Sequence, residues 1–212
     1  MSQNKLSHIA FILDGNKRWA KLNNLFIKEG YKKGFDNIEN IIEYSTSINL
    51  SFLTLFTLSS ENFNRSSVNI IYEIIYSNFS ELIEKLINRK KIKINIIGSR
   101  RNLPKKILDI FNEAEQINRT NYSMAINLAF NYGFKDEIKI DLEKFKNSSN
   151  NYNINENNSL KKLFLLGDIP DPDILIRTGG YQRLSNFIMF NLTYTELFFT
   201  KTLWPDFTTQ EL

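Results

Sequence analysis

Five short apolar runs recur along the chain, Ile9 to Leu13, Phe52 to Leu58, Ile92 to Ile97, Met124 to Phe130 and Ile174 to Ile176. Each has strand length, is rich in β-branched or aromatic residues, and is followed by enough chain for a helix before the next begins. Nearly continuous apolar strands joined by helical crossovers predict an α/β fold whose mostly parallel sheet is covered on both faces. Tyr194 to Phe199 adds a further strand or a short helix. The Asn-rich stretch 147–159 reads as a solvated loop between helical segments, so residues 1–212 are expected to form one domain.

One helical pattern stands apart. From Ser67 to about Lys90 the apolar positions are Ile70, Ile71, Ile74, Ile75, Phe79, Leu82, Ile83, Leu86 and Ile87, a stripe at i, i+3, i+4 spacing. It predicts one long amphipathic helix. Such a helix either covers a sheet or walls a lipid-binding groove, and periodicity alone does not separate the two.

Composition narrows the chemistry. The 212 residues are 42% apolar and 24% charged, as in an ordinary globular chain. Cysteine is absent, which excludes disulfides, thiol nucleophiles and thiolate metal sites, and the only histidine, His8, excludes a multi-histidine site. The net charge of +4 tolerates anionic ligands without demanding nucleic acid; Arg89, Lys90 and Lys91 read as a solvated helix end. The N-terminal stretch lacks the plan of a signal peptide, and no apolar run approaches the roughly 18 residues of a membrane helix. A cytoplasmic location is expected.

Three segments concentrate polar residues at strand ends. In the first, the strand ending at Leu13 is followed by Asp14, Gly15, Asn16, Lys17 and Arg18, a tight turn into a helix. Free backbone amides and two cations there make an anion cradle, and the acid among them would repel a phosphate unless a divalent metal lay between. The second, Ser59, Ser60, Glu61, Asn62, Phe63, Asn64 and Arg65, follows the second strand and emerges at the same carboxyl edge if the sheet is parallel. It reads equally as a serine-capped turn, and the two roles are compatible. The third runs from Ile174 through Arg177, Thr178, Gly179, Gly180, Arg183 and Ser185 to Glu196. Two arginines and a serine offer the planar forks and hydroxyl that a diphosphate needs.

Taken in order, His8 to Ala20, Leu58 to Arg65 and Ile174 to Glu196 resemble the motifs of the cis-prenyltransferases, the family of the bacterial undecaprenyl diphosphate synthases. The likeness extends to Ile97-Gly98, Asn131-Tyr132-Gly133 and Leu203-Trp204-Pro205-Asp206-Phe207. The resemblance implies a central six-stranded sheet flanked by helices, with a hydrophobic tunnel. It also implies a homodimer, Mg2+ dependence, and repeated addition of isopentenyl diphosphate to farnesyl diphosphate with cis double bonds. The default product is undecaprenyl diphosphate, a lipid-carrier precursor for the cell wall. Peripheral membrane contact is a further expectation because that product is a lipid.

By this resemblance Asp14 is the catalytic, metal-associated aspartate, and Gly15, Asn16, Lys17, Arg18 and Trp19 form the loop that holds the allylic diphosphate. Ser59, Ser60, Glu61 and Phe63 match substrate-contacting positions. Asn62 matches an asparagine implicated in proton removal, where a neutral amide serves to position or relay and not as a base. Arg65, Arg177, Arg183 and Ser185 match diphosphate-binding positions, the isopentenyl side falling to the last three, and Leu184 between them matches a substrate-binding position. Glu196 matches an acid linked to magnesium, at the dimer edge.

The chain also departs from the family pattern. Ile27 stands where most members have arginine and Tyr31 where they have histidine, which alters two contacts to the allylic diphosphate; Lys28 is the candidate to replace the lost charge. Phe63 replaces a tryptophan and Asn69 a frequent glutamate. The sequence stops at Leu212, ahead of the Arg-x-Gly tail that many members use to complete the isopentenyl site. The rival role is that of a non-catalytic subunit binding polyprenyl lipid or a partner. Such subunits typically lack the first-motif aspartate, and Asp14 is present.

Overall fold

A computed structural model of the chain describes residues 6–63, 67–79, 81–82, 92–116, 120–147 and 160–212. Six strands, β1 (His8–Ile12), β2 (Phe52–Ser59), β3 (Ile92–Ile97), β4 (Met124–Tyr132), β5 (Ile174–Arg177) and β6 (Glu196–Phe199), form one sheet in the order β3-β4-β2-β1-β5-β6. All the pairings are parallel. The five apolar runs are thus the first five strands, and the segment from Tyr194 supplies the sixth. The helices are α1 (Asn16–Leu22), α2 (Ile27–Ser47), α3 (Val68–Ile74), α4 (Lys105–Gln116) and α5 (Phe134–Asn147).

The register sorts the strand residues between two faces. Ile9, Leu53, Ile126 and Ile94 lie side by side on one. That face packs into a large core with Ile41 and Ile42 of α2, Ile75, Phe111 of α4, and Trp204. The other face carries Ala10, Ile12, Phe56, Ala129 and Leu175, closed by Phe187 and Ile188. Phe56 stacks on Phe187 there, 4.4 Å between ring centres. A polar row crosses this second face. His8 Nε2 meets Thr54 Oγ1 at 2.7 Å, Asn127 donates to the same oxygen at 3.0 Å, and Asn95 donates to Asn127 at 2.8 Å. The His8, Thr54 and Asn127 side chains are buried, and their hydrogen bonds offset the loss of water.

The helix expected from Ser67 to Lys90 is interrupted. After α3 the chain widens into a π-helical turn, Ile75–Phe79, while residues 80 and 83–90 lie outside the described residues. Ile74, Ile75, Phe79 and Leu82 are buried, whereas Ile70 and Ile71, leading the predicted stripe, are only half-buried. Apart from Asn147, which ends α5, the Asn-rich stretch also falls outside the described residues.

Candidate active site

At the carboxyl edge of the sheet, the turn after β1 places Gly15 at φ +126°, a conformation that favours glycine. A Cβ there would stand 2.9 Å from that of Leu203, so the C-terminal Leu203-Trp204-Pro205-Asp206-Phe207 segment buttresses the turn. It does so at several points: Trp204 N donates to the Asp14 carbonyl at 3.0 Å, and Trp204 Nε1 to the Gly34 carbonyl at 2.7 Å. Trp19 joins the same brace, its Nε1 donating to Asp206 Oδ1 at 2.7 Å. The family resemblance gives Trp19 a place in the diphosphate loop, but its indole is tied to Asp206 and does not border the crevice.

Asp14 is the electrostatic centre of the edge. Its Oδ2 accepts from Arg177 Nη2 at 2.8 Å and its Oδ1 from Arg18 Nη2 at 3.1 Å. Arg177 is only 3% exposed and donates further, through Nη1, to Ser185 Oγ and the Arg183 carbonyl, each at 2.6 Å. A buried guanidinium needs such compensation. Thr178 Oγ1 accepts from Asp14 N at 3.0 Å and donates to the Asp14 carbonyl at 2.8 Å, so β1 and β5 are laced together at their ends. Gly179, at φ +85°, lets the chain pass close to this pair; a Cβ there would stand 2.5 Å from Arg18 Nη2. Arg18 Nη1 caps the arrangement on the Gly179 carbonyl at 2.7 Å.

These groups line an open crevice of about 450 Å³. Of the residues proposed from sequence, Asp14, Gly15, Asn16, Lys17, Arg18, Tyr31, Ser59, Glu61, Asn62, Arg177, Arg183 and Ser185 all border it. A bulge near the end of β2 shifts its register between Phe56 and Ser59, and the turn is fixed by Asn62 N donating to Ser59 Oγ at 3.2 Å. Ser60 and Phe63 face a neighbouring hollow instead, where Ser60 Oγ donates to Asp136 at 2.6 Å. Leu184 packs against the second core. Arg65 lies outside the described residues.

Glu196 does not join Asp14 within the chain. It opens edge strand β6 and pairs with Ile174, while Arg177, bonded to Asp14, pairs with Phe199 at the other end of the strand. Three residues at about 3.3 Å each put roughly 10 Å between them along the strand. Lys28, the candidate for the missing cation, is held at 2.9 Å by Glu73 of α3. Sequence reasoning missed Tyr181, which lines the crevice among the arginines, and Thr178. An aromatic after two glycines carries no motif of its own.

A second space adjoins the crevice. Leu13, Asn16, Tyr31, Thr57 and Ile71 border both the crevice and an apolar cavity of about 90 Å³. The cavity lies between the first face of the sheet, with Ile94, Ile126 and Leu128, and the helices α2, α3 and α4. The interrupted helix therefore serves as cover and wall at once, through Ile71, Ile74, Ile75, Phe79 and Leu82.

Comparison with known proteins bears on what this pairing does. Residues 12–212 match the prenyltransferase family model described as "Putative undecaprenyl diphosphate synthase". An isoprenyl transferase of Thermotoga maritima is 35% identical over 210 residues, 96% of this chain and 89% of that protein. Another from Aquifex aeolicus is 37% identical over 213 residues, 100% of this chain and 91% of that one. Among solved structures, lavandulyl diphosphate synthase from Lavandula x intermedia, in complex with dimethylallyl diphosphate, is similar with a TM-score of 0.91 at 30% identity. That match covers 98% of this chain and 92% of the plant protein.

Proposed function

The chain belongs to the undecaprenyl diphosphate synthase family of prenyltransferases and is a prenyl-transferring enzyme, and on that premise we propose that it adds isopentenyl diphosphate repeatedly, in cis, to farnesyl diphosphate. The product is undecaprenyl diphosphate, a precursor of the cell-wall lipid carrier. The observation that carries this reading is the junction of a cation-rich crevice with an apolar cavity through five shared residues.

Breaking an allylic C–O bond leaves negative charge on diphosphate. One cation at about 4 Å contributes roughly 4 kcal/mol at an effective dielectric of 20, before desolvation, so several are needed. Arg18, Arg177 and Arg183 supply them, and Ser185 adds a hydroxyl. Asp14 holds the Arg177 guanidinium in place. Asn62, a neutral amide beside Ser59, positions substrate and relays the proton lost from isopentenyl diphosphate to a phosphate oxygen or water. Each added unit buries apolar carbon in the cavity at about 0.8 kcal/mol per CH₂.

Magnesium suits the donors present. The Asp14 carboxylate, which borders the crevice, is the hard oxygen ligand it takes, with substrate phosphates and water completing its shell. Bound there, it would offset diphosphate charge. Among the described residues no three acidic or histidine side chains cluster as a metal site.

A homodimer is supported by β6, an edge strand whose Leu197 and Phe198 are exposed beside Tyr194, and Glu196 acts at that edge. No described helix is long and apolar enough to cross a membrane. Peripheral contact draws support from Leu22 and from Phe26, which is 84% exposed.

The test is magnesium-dependent incorporation of radiolabelled isopentenyl diphosphate with farnesyl diphosphate as primer, followed by chromatography of the dephosphorylated product. Elongation to eleven isoprene units is expected. Asp14→Ala should reduce turnover by about 10²- to 10³-fold or more while the protein stays folded. No incorporation by folded wild-type protein would sink the reading; a short product would overturn its chain-length part alone.

A further inference from the structure

Three arginines face the crevice, and they are not equally restrained. Arg177 is tied by Asp14, Ser185 and a carbonyl, and Arg18 by Asp14 and a carbonyl. Among the described residues the Arg183 guanidinium makes no ion pair or side-chain hydrogen bond. What it has is a ring: its Cζ lies 4.2 Å from the centre of Tyr181. Arg18 stands 4.8 Å and Arg177 5.7 Å from the same ring.

The arrangement has a local cause. Gly179 and Gly180 both take positive φ, +85° and +80°, and the chain that leaves them brings Tyr181 in among the arginines. Three like charges gathered at one place repel each other, and Arg183, on a long exposed stem, is the one free to leave. The negative face of an aromatic ring attracts a cation within about 6 Å and so opposes that escape without neutralising the charge. A carboxylate in the same position would hold the arginine more tightly and compete with an incoming anion; a ring does not compete.

We propose that Tyr181 is a positioning residue that holds Arg183 ready at the isopentenyl diphosphate pocket. The role belongs to the face of the ring and not to the hydroxyl. The inference rests on the diphosphate reading of the crevice given above.

The experiment compares Tyr181→Phe, Tyr181→Leu and Tyr181→Ala with wild type. Tyr181 is 44% exposed on a loop, so unchanged melting temperatures are expected for all three. Loss of the ring should raise KM for isopentenyl diphosphate about five-fold, roughly 1 kcal/mol, and weaken calorimetric binding of inorganic pyrophosphate to the same degree. The kcat should stay within about two-fold, because an unformed pocket costs binding before it costs chemistry. Phenylalanine should rescue both values; leucine, which keeps bulk without the ring, should not. Unchanged KM in the alanine and leucine variants, a phenylalanine variant as weak as alanine, or a loss confined to kcat overturns the proposal. Wild-type protein that neither turns over nor binds pyrophosphate removes the diphosphate site itself, and the inference with it. Active wild type beside equally active ring-less variants removes the inference alone.

Discussion

The two faces of the sheet are built from alternate residues of the same strands and are packed in opposite ways. On one, Ile94, Ile126 and Leu128 look into a cavity of about 90 Å³ beneath α2, α3 and α4. On the other, Ala10, Ala129, Phe56 and Phe187 close tightly, and a hydrogen-bonded row from His8 to Asn95 crosses the strands. Protein interiors normally pack like organic crystals, so a space this size is a cost that the fold must carry. The packed face anchors the sheet, and the other keeps the cavity that the proposed function assigns to a growing chain. Asp14 stands where the two meet, at the end of β1, tied to the buried Arg177 and bordering the crevice.

The largest effect should come from titrating the packed face. Burial lowers the His8 pKa from 6.5 to about 4, although its hydrogen bond to the Pro170 carbonyl acts the other way. The folded protein thus holds His8 neutral while the unfolded chain takes up a proton near pH 6.5. Stability conferred by the neutral ring is full above pH 6.5 and is lost as pH falls towards 4, by roughly 3 kcal/mol over the window. Asp173 adds to the fall at lower pH. Burial would raise its pKa, but hydrogen bonds from Ser7 N, His8 N and Ser7 Oγ outweigh that and hold it below the usual value. Urea denaturation from pH 7 to 4.5 checks this, and a flat stability profile would contradict the packed, dry face. His8→Asn should be less stable at pH 7 but lose less on acidification.

Next in size is the response to added bulk. Ala129 is fully buried between Phe56 and Ile97 on the packed face. Ala129→Leu should cost about 1–3 kcal/mol, the usual range for overpacking. Ile94→Phe adds volume on the cavity side and should cost less than about 1 kcal/mol, because the new atoms have room. Its effect should appear in chemistry, as a shift of the product distribution to shorter chains. Equal destabilisation by the two substitutions would mean that the cavity is not spare space.

The strands could be read directly from the sequence because each buried parallel strand is an apolar run, and even β6 was located without its type being settled. The ends of those strands were legible too: Asp14, Ser59, Asn62 and Arg177 emerge together because parallel strands put their carboxyl termini on one edge. Other features depend on contacts between residues far apart in the chain. The π turn at Ile75–Phe79 leaves the apolar spacing nearly unchanged, so periodicity does not show it. His8, Thr54, Asn127 and Asn95 look like unrelated polar positions until the register aligns them. Trp19 and Ser60 sit within their motifs, yet rotation about the backbone turns them to Asp206 and Asp136. Glu196 shares the third segment with Arg177, but the pairing of β5 and β6 sets it beside Ile174, at the other end of that ladder.

The smallest effect is the most useful check on the cavity's walls. Motif spacing nominates Lys28 to replace the cation that Ile27 lacks, whereas Lys28 Nζ sits 2.9 Å from Glu73. That ion pair links α2 to α3, which wall the cavity with Tyr31 and Ile38 on one and Ile71 and Ile74 on the other. Both side chains are more than half exposed, so the pair contributes between about 0 and 1 kcal/mol. Lys28→Ala should therefore leave KM for both diphosphates within about two-fold and the melting temperature nearly unchanged. A ten-fold rise in KM for the allylic diphosphate would place Lys28 at the crevice during turnover. The pairing with Glu73 would then belong to the resting protein, and the wall between α2 and α3 would have to open for substrate.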